Sequence, residues 1–364
     1  MKNIFLFAGE TSADLYGGRL LSQLQKKLPD TTFWGVGGPA LQAKGLQSML
    51  DMRAFQVMGF SDVLLAAGRL TRNFLRIKQA IMQKCPEVVV LIDQPSFTIR
   101  LAKSLRKAGF CGKIVQFVAP TVWAYKPKRA VEMAKYFDAL LTLFDFEPQY
   151  FEKTSLATTF VGHPIVEIIE NGPEVALDLD PARPILALFP GSRPAEVKRN
   201  LPIQLEAALA YQAHHPEFLL AVSAKEPIDD LPETVKQVPF THRYALMKRA
   251  QLAIAKSGTV TLELALHQVP TVVTYALTRL NYLMAKYVLQ LKMPYYSIVN
   301  ILAQKELFYE QIYPPVTHEG IVRCLENYLD NHQEVQQACL ELKQRLRPDI
   351  APTAKAAEVI CGLL

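Results

Sequence analysis

The chain has 364 residues, 50% of them hydrophobic and 20% charged, with a net charge of +6. That composition excludes a disordered or fibrous protein, and a single hydrophobic core stops growing near ~250–300 residues, so two domains are expected. No apolar run approaches the ~18–20 residues that cross a bilayer, because Lys256, Glu263 and Arg69 interrupt the greasiest stretches.

In chain order the pattern is strand, turn, helix, repeated. The apolar run Ile4–Ala8 is too short for a secretion signal and reads as a strand, with a helix over Asp14–Lys27. Thr32–Val36 follows, closed by Gly37-Gly38. Between Phe60 and Lys84, Val63, Ala67, Leu70, Phe74, Ile77 and Ile81 recur at helical spacing as a core stripe. Gly68 is the point at which this segment would break into two helices. Val88–Ile92 is β-branched and uncharged, as in a strand buried on both faces of a parallel sheet. Strands Lys113–Val118 and Ala139–Leu143 alternate with helices Ser96–Lys107 and Lys128–Lys135.

The stretch Glu167–Pro184 holds three prolines and five acidic residues and reads as a linker. A second series begins after it. Ile185–Phe189, Phe218–Ser223, Leu252–Ala255 and Thr271–Tyr275 are strands, and Leu201–His214 a helix. The tail from Thr317 is helical, broken at Arg347-Pro348 and resumed over Thr353–Leu364. The expected organisation is an α/β protein of two Rossmann-like, doubly wound domains facing a cleft. They span 1–166 and 185–346, joined by a linker at 167–184, with the helix 353–364 packing back on the first. A ligand belongs in that cleft, at the carboxyl ends of the strands.

Four turns carry candidate chemistry. Ala8-Gly9-Glu10-Thr11-Ser12-Ala13-Asp14 follows the first strand, with Ser12 or Asp14 placed to cap the next helix and Glu10 at the strand end. Asp93 ends an apolar strand in Ile92-Asp93-Gln94-Pro95. It reads equally as a general base, its pKa raised by burial, or as a helix cap. Pro190-Gly191-Ser192-Arg193 suits a phosphate, with Glu196 placed to fix the arginine. Lys256-Ser257-Gly258-Thr259 begins a helix, a diphosphate-type turn, and Glu263 sits one turn below Thr259, within reach of ribose hydroxyls.

Other features are less specific. His163, in Val161-Gly162-His163-Pro164, is a ligand contact or a hinge residue. Lys126 follows an aromatic turn, Trp123-Ala124-Tyr125. Asp178-Leu179-Asp180 lies in the acidic linker, not at a strand end, and no helix carries H-x-x-x-H, so no metal is expected. No basic stripe with interleaved aromatics points to nucleic acid. Leu64, Leu65 and Leu75 lie off the core stripe beside Arg69, Arg72 and Arg76. That face reads as contact with an anionic membrane surface or as a solvated arginine face. The five cysteines are scattered and unpaired in pattern, as in a cytoplasmic protein.

Taken together, the motifs resemble the lipid A disaccharide synthases. The match keeps its order through Ala8-Gly9-Glu10-x-Ser12, Gly35-Val36-x-Gly38-Pro39, Val57-Met58-Gly59, Ile92-Asp93-x-Pro95-x-Phe97 and Val122-Trp123-Ala124. It continues through Phe160-Val161-Gly162-His163, Pro190-Gly191-Ser192-Arg193-x-x-Glu196-Val197, Ser257-Gly258-Thr259 and Asn300-Ile301-Leu302-Ala303.

The resemblance implies an inverting glycosyltransferase of the GT-B architecture, without metal or cofactor, on the cytoplasmic face of the inner membrane. It would move 2,3-diacylglucosamine from UDP-2,3-diacylglucosamine to the 6-hydroxyl of 2,3-diacylglucosamine 1-phosphate. It also implies Asp93 as base, and Glu10, at the end of the first strand, is the second catalytic candidate. Ser192, Arg193, Ser257, Gly258, Thr259 and Glu263 would hold UDP, and Ser12, His163, Asn300 and Lys126 are the residues expected at the acceptor or elsewhere in the cleft. A homodimer stays open, as does a UDP-sugar epimerase of the same fold. Three positions depart from the family pattern, and the second of them, which removes a second carboxylate beside Asp93, bears on acceptor binding. Ala13 stands for the family's glycine, Ser96-Phe97-Thr98 for Asp-Phe-Asn, and Ile298-Val299 for Leu-Pro.

Overall fold

The computed structural model describes residues 2–55, 60–123, 126–275, 294–312 and 316–364, with backbone alone for 60–67. The Val57-Met58-Gly59 motif lies outside them, as do Ala124 and Tyr125. Two compact units are present, Met1–Glu167 with Leu346–Leu364, and Ile168–Arg345.

The first unit is built on seven parallel strands: β1 (Asn3–Ala8), β2 (Thr32–Gly37), β3 (Gln47–Asp51), β4 (Val88–Ile92), β5 (Lys113–Phe117), β6 (Ala139–Thr142) and β7 (Ala157–Phe160). Their order is β3-β2-β1-β4-β5-β6-β7. The direction of winding reverses between β1 and β4, where Ala8 pairs with Ile92. Both strands are buried along almost their whole length, because helices cover both faces of such a sheet and leave no polar side. The helices are α1 (Thr11–Lys27), α2 (Pro39–Ala43), α3 (Phe60–Lys84), α4 (Pro95–Lys107), α5 (Lys128–Met133) and α6 (Pro164–Glu170). The terminal helix Pro352–Cys361 packs along α1, with Lys27 and Glu358 paired at 3.2 Å.

The second unit repeats the plan. Strands β8 (Ile185–Phe189), β9 (Leu219–Ala224), β10 (Val235–Pro239), β11 (Leu252–Lys256), β12 (Thr271–Tyr275) and β13 (Glu310–Ile312) pair in parallel in the order β10-β9-β8-β11-β12-β13. Its switch point lies between β8 and β11, where Phe189 pairs with Ala255. The helices are α7 (Pro194–His214), α8 (Arg243–Arg249) and α9 (Thr259–Leu266), followed by Ile298–Ala303 and the helical stretch His318–Leu346, which kinks at Asn331.

Several local expectations change. α3 runs unbroken through Gly68, which lies on its exposed side where a methyl group would touch nothing within 4 Å. α7 begins at Pro194, not at Leu201, because Pro194 suits a first helical position. Its second proline, Pro202, sits inside the helix on an exposed face. Glu167 is not linker: it lies in α6 and accepts the Thr353 N–H at 2.6 Å and the Thr353 hydroxyl at 2.8 Å. Gly162, at φ +88, passes so close to Pro348 that an added Cβ would come within 2.5 Å of its ring. The left-handed backbone and the contact together require glycine there.

Neither Ser12 nor Asp14 caps α1, whose N-cap position is Glu10 with no side-chain bond. Asp14 lies inside α1 and is buried. Its carboxylate instead accepts the N–H groups of Gly38, Ala40 and Leu41 at 2.8, 2.8 and 3.1 Å, and so caps α2. Asp14→Ala is expected to cost roughly 1–2 kcal/mol, the usual loss for a helix cap. Chemical denaturation checks this; a variant as stable as the parent would remove the capping role.

Candidate active site

The turns that leave β1 and β4 emerge side by side. Asp93 and Gln94 both adopt left-handed backbone, at φ 57 and 48. For residues other than glycine that costs about 1–2 kcal/mol each. The fully buried Gln116 holds the turn: its amide donates to the Asp93 and Val118 carbonyls at 3.1 and 3.2 Å. The Asp93 N–H donates to the Phe117 carbonyl at 2.9 Å. Asp93 is not the cap of α4, since that position is Gln94. Its carboxylate accepts only the neighbouring Gln94 N–H, at 2.8 Å, among the contacts described. Gln94 in turn donates to Glu10 at 3.3 Å, which brings both acids to one edge of the sheet. Burial pushes the Asp93 carboxyl above its ordinary range, the Gln94 N–H partly offsets this, and the Glu10 charge adds to the rise.

Two of the three departures lie in the first unit. Ala13 is fully buried in α1, and Ser96 accepts a bond from Arg129 at 3.2 Å. Thr98 is buried and bonds back to the Gln94 carbonyl at 3.3 Å. Ser12 lies half-buried in the first turn of α1 and Lys126 on the surface.

His163 is buried before α6, edge-on to Tyr16 at 5.6 Å and beside Phe144. Its Nδ1 accepts the Ile165 N–H at 3.2 Å. Burial pulls its pKa down to about 3, so it is a neutral ring at physiological pH. Close by in sequence, Glu147 follows β6 and is also buried. Its carboxylate accepts the Leu143 and Phe144 N–H groups at 3.0 and 3.1 Å.

In the second unit Gly191, at φ +135, lies against Glu196: an added Cβ would come within 2.5 Å of the Glu196 Cβ. Ser192 and Arg193 are exposed at the start of α7. The expected Glu196–Arg193 pair does not form. Glu196 accepts the Ser192 N–H at 3.1 Å and pairs with Lys256 at 3.2 Å, because Lys256 ends the adjacent strand. Ser257 is half-buried, and Gly258 and Thr259 are exposed where α9 begins. Glu263 is buried, held by the Tyr244 hydroxyl at 2.8 Å and by Arg243 at 3.5 Å. Burial and the Glu263 charge push the Tyr244 phenol above its ordinary value.

Asn300 corrects an expectation. It is fully buried and makes four bonds inside the chain. Its amide donates to the Phe308 carbonyl and to Glu310, and its oxygen accepts the Leu307 and Phe308 N–H groups. It ties a loop to a helix and does not line an open surface. Arg69, Arg72, Leu75 and Arg76 are exposed on α3, Leu75 by 57%. Leu64 and Leu65 lie outside the described side chains. Among the described residues no cluster of metal-ligating side chains is present, and no helix is long and apolar enough to cross a membrane.

A family model described as lipid-A-disaccharide synthetase matches residues 4–359. The chain belongs to that family. A lipid-A-disaccharide synthase from Chlamydia pneumoniae is 40% identical over 85% of this chain and 53% of its own length. One from Anaeromyxobacter dehalogenans is 35% identical over 98% of this chain and 96% of its own. The chain thus spans about half to three-fifths of the length of the chlamydial family members, 53% and 60% for two of them. Among solved structures, the Staphylococcus aureus MnaA–UDP co-structure superposes with a TM-score of 0.68 at 10% identity, covering 99% of this chain and 95% of that one. The calicheamicin glycosyltransferase CalG4 gives 0.63 at 14%, covering 100% and 98%. The family member described here therefore has the GT-B fold: two parallel-sheet α/β domains.

Sequence reasoning left Gln116, Glu147, Arg243, Tyr244 and Lys256 without roles. Gln116 had a signal, a polar residue inside the apolar strand Lys113–Phe117. Arg243 and Tyr244 had none, being ordinary residues on a short amphipathic helix.

Glu147 gives a pH test. Burial raises its carboxyl from 4.5 to about 7, against the pull of two backbone amides. The folded state therefore binds a proton more tightly than the unfolded chain. Stability is expected to fall as pH rises from about 4.5 to about 7 and to level off above that. Glu147→Gln should remove this loss and gain on the parent through the same window. Urea midpoints at pH 5 and 7.5 decide it; parallel curves would show that Glu147 does not titrate there.

Proposed function

We propose that the chain is an inverting glycosyltransferase that joins two acylated glucosamines. It moves 2,3-diacylglucosamine from its UDP donor to the 6-hydroxyl of 2,3-diacylglucosamine 1-phosphate, giving the β-1,6-linked disaccharide 1-phosphate and UDP. One observation carries the reading. In a member of this family, all four chemically suited turns leave strands that flank the two switch points. Open parallel sheets bind ligands at such points. Nucleotide binding is assigned to the second unit because its two switch-point turns, Ser192-Arg193 and Ser257-Gly258-Thr259, carry the exposed groups suited to a diphosphate.

The chemistry then follows from the side chains. Asp93 takes the proton from the acceptor hydroxyl as its oxygen attacks the anomeric carbon. The sugar–phosphate bond breaks from the opposite face, so one displacement inverts the centre. UDP leaves with its charge met by Arg193 and by the amides at the start of α9. Glu263, fixed by Tyr244, accepts from the ribose. Gln94 and Glu10 orient Asp93, and His163 stays neutral as a packing and positioning residue. The strained backbone at Asp93 and Gln94 supports this assignment, since such strain persists where geometry matters more than local stability. No residue in this scheme needs a metal or cofactor.

Asp93→Asn should retain UDP binding and lower turnover by ~10²–10⁴-fold, the usual loss of a general base. Release of UDP is measured with and without the acylated acceptor. Near-parent turnover would remove Asp93 as base. Release that ignores the acceptor would point to hydrolysis, and 2-epimer formation without it to the epimerase reading.

Both proposed substrates are acylated and anionic, so the first unit would work at a bilayer surface, on the cytoplasmic face of the inner membrane. The exposed Arg69, Arg72, Arg76 and Leu75 of α3 are the contact proposed here. Each arginine would contribute roughly 1 kcal/mol. Replacing the three with serine should weaken sedimentation with anionic vesicles and flatten its salt dependence. Partitioning equal to the parent would make this a solvated face.

A further inference from the structure

The second unit holds a cation for which the scheme above has no use. Lys256 ends β11, one residue before Ser257-Gly258-Thr259. Its Nζ lies 3.2 Å from Glu196 Oε1, and both side chains are only about one-fifth exposed, at 20% and 22%. It also stands 5.3 Å from the centre of the Tyr275 ring, and 3.7 Å from where a Cβ of Gly258 would be. The ammonium therefore overhangs the turn that opens α9, a helix whose first amides have no side-chain cap.

The other Glu196 oxygen, Oε2, accepts the Ser192 N–H at 3.1 Å. One carboxylate thus takes up an amide from the Pro190–Arg193 turn and an ammonium from the Lys256–Thr259 turn. A backbone amide at a helix start together with a lysine is the donor set that binds phosphate. Glu196 is ionised: burial pushes its carboxyl up, but Lys256, the Ser192 amide and Arg193 together bring it below its ordinary range. Gly258 is not demanded by backbone or packing. Its φ of 163 is extended, and a methyl group would meet nothing nearer than Lys256 itself. A missing side chain there keeps the ammonium and the α9 amides open to one approaching group.

We propose that Lys256 is the second cation of the nucleotide-diphosphate site, and that Glu196 occupies its ammonium and the Ser192 amide until the diphosphate displaces it. This rests on the second unit being the UDP site. A diphosphate outcompetes the carboxylate because it offers more charge and more acceptor oxygens to the same donors. Arg193 and Lys256 then share the charge that builds on the leaving UDP. Lys256 would distinguish UDP from UMP, whereas contacts to the uridine would not.

The test is calorimetric titration of the full chain with UDP and with UMP. Lys256→Met should weaken UDP by roughly 10- to 100-fold, the loss of a hydrogen bond to a charged group, and UMP by much less. Lys256→Arg should keep most of the affinity. Glu196→Gln should bind UDP more tightly than the parent, which also decides the matter should Lys256→Met fail to fold. Parent-like UDP binding by Lys256→Met, with binding lost in Arg193→Ala, would sink this inference and leave the nucleotide reading standing. Glu196→Gln binding UDP as weakly as Lys256→Met would overturn the displacement. A parent that binds no UDP would overturn the functional reading itself.

Discussion

In a wholly parallel sheet every strand ends on the same edge, and the constraint is most severe where the winding reverses. At that point two adjacent strands send their chains to opposite faces, and the turns leaving them are free of the crossovers that cover the rest of the edge. Both units meet this constraint. Ala8 and Ile92 end together in one, Phe189 and Ala255 in the other. Residues some 84 positions apart, Glu10 and Gln94, become hydrogen-bonded neighbours. The proposed base depends on that adjacency, since the turn after Ile92 alone would leave Asp93 without Glu10 nearby.

Much of the fold was legible. The buried strands Val88–Ile92, Ile185–Phe189 and Thr271–Tyr275 stood out because a strand covered on both faces has no polar position to confuse it with a surface helix. The edge strands were harder. Gln47–Asp51 and Val235–Pro239 are largely exposed or polar, and Glu310–Ile312 is three residues long, so their apolar signal is weak. Gly68 misled because its cost in a helix interior is small, about 1 kcal/mol, and the packed stripe on the other face outweighs it.

For the turns, position was legible and partnership was not. Spacing put Glu196 three residues beyond Arg193, but the parallel register set it against Lys256, some 60 residues later. The same holds for Asp14, whose carboxylate serves a helix more than 20 residues on. Asn300 shows the reverse error. The motif suggests an acceptor or cleft residue, yet Asn300 is spent wholly on internal bonds to Phe308, Leu307 and Glu310. Side-chain partners are fixed by tertiary packing, which local pattern does not encode.

The first unit is discontinuous in sequence. Its last piece, Leu346–Leu364, comes after the whole of Ile168–Arg345. On a ribosome, domains fold in the order in which they are made. Here the N-terminal sheet is synthesised first, but the face of α1 that receives Pro352–Cys361 stays uncovered until the second unit has been made. Gly162 likewise awaits Pro348. Of the two units, the one that begins folding first is therefore the one that finishes last, and its nascent form carries an uncovered helix face while the whole of Ile168–Arg345 is translated.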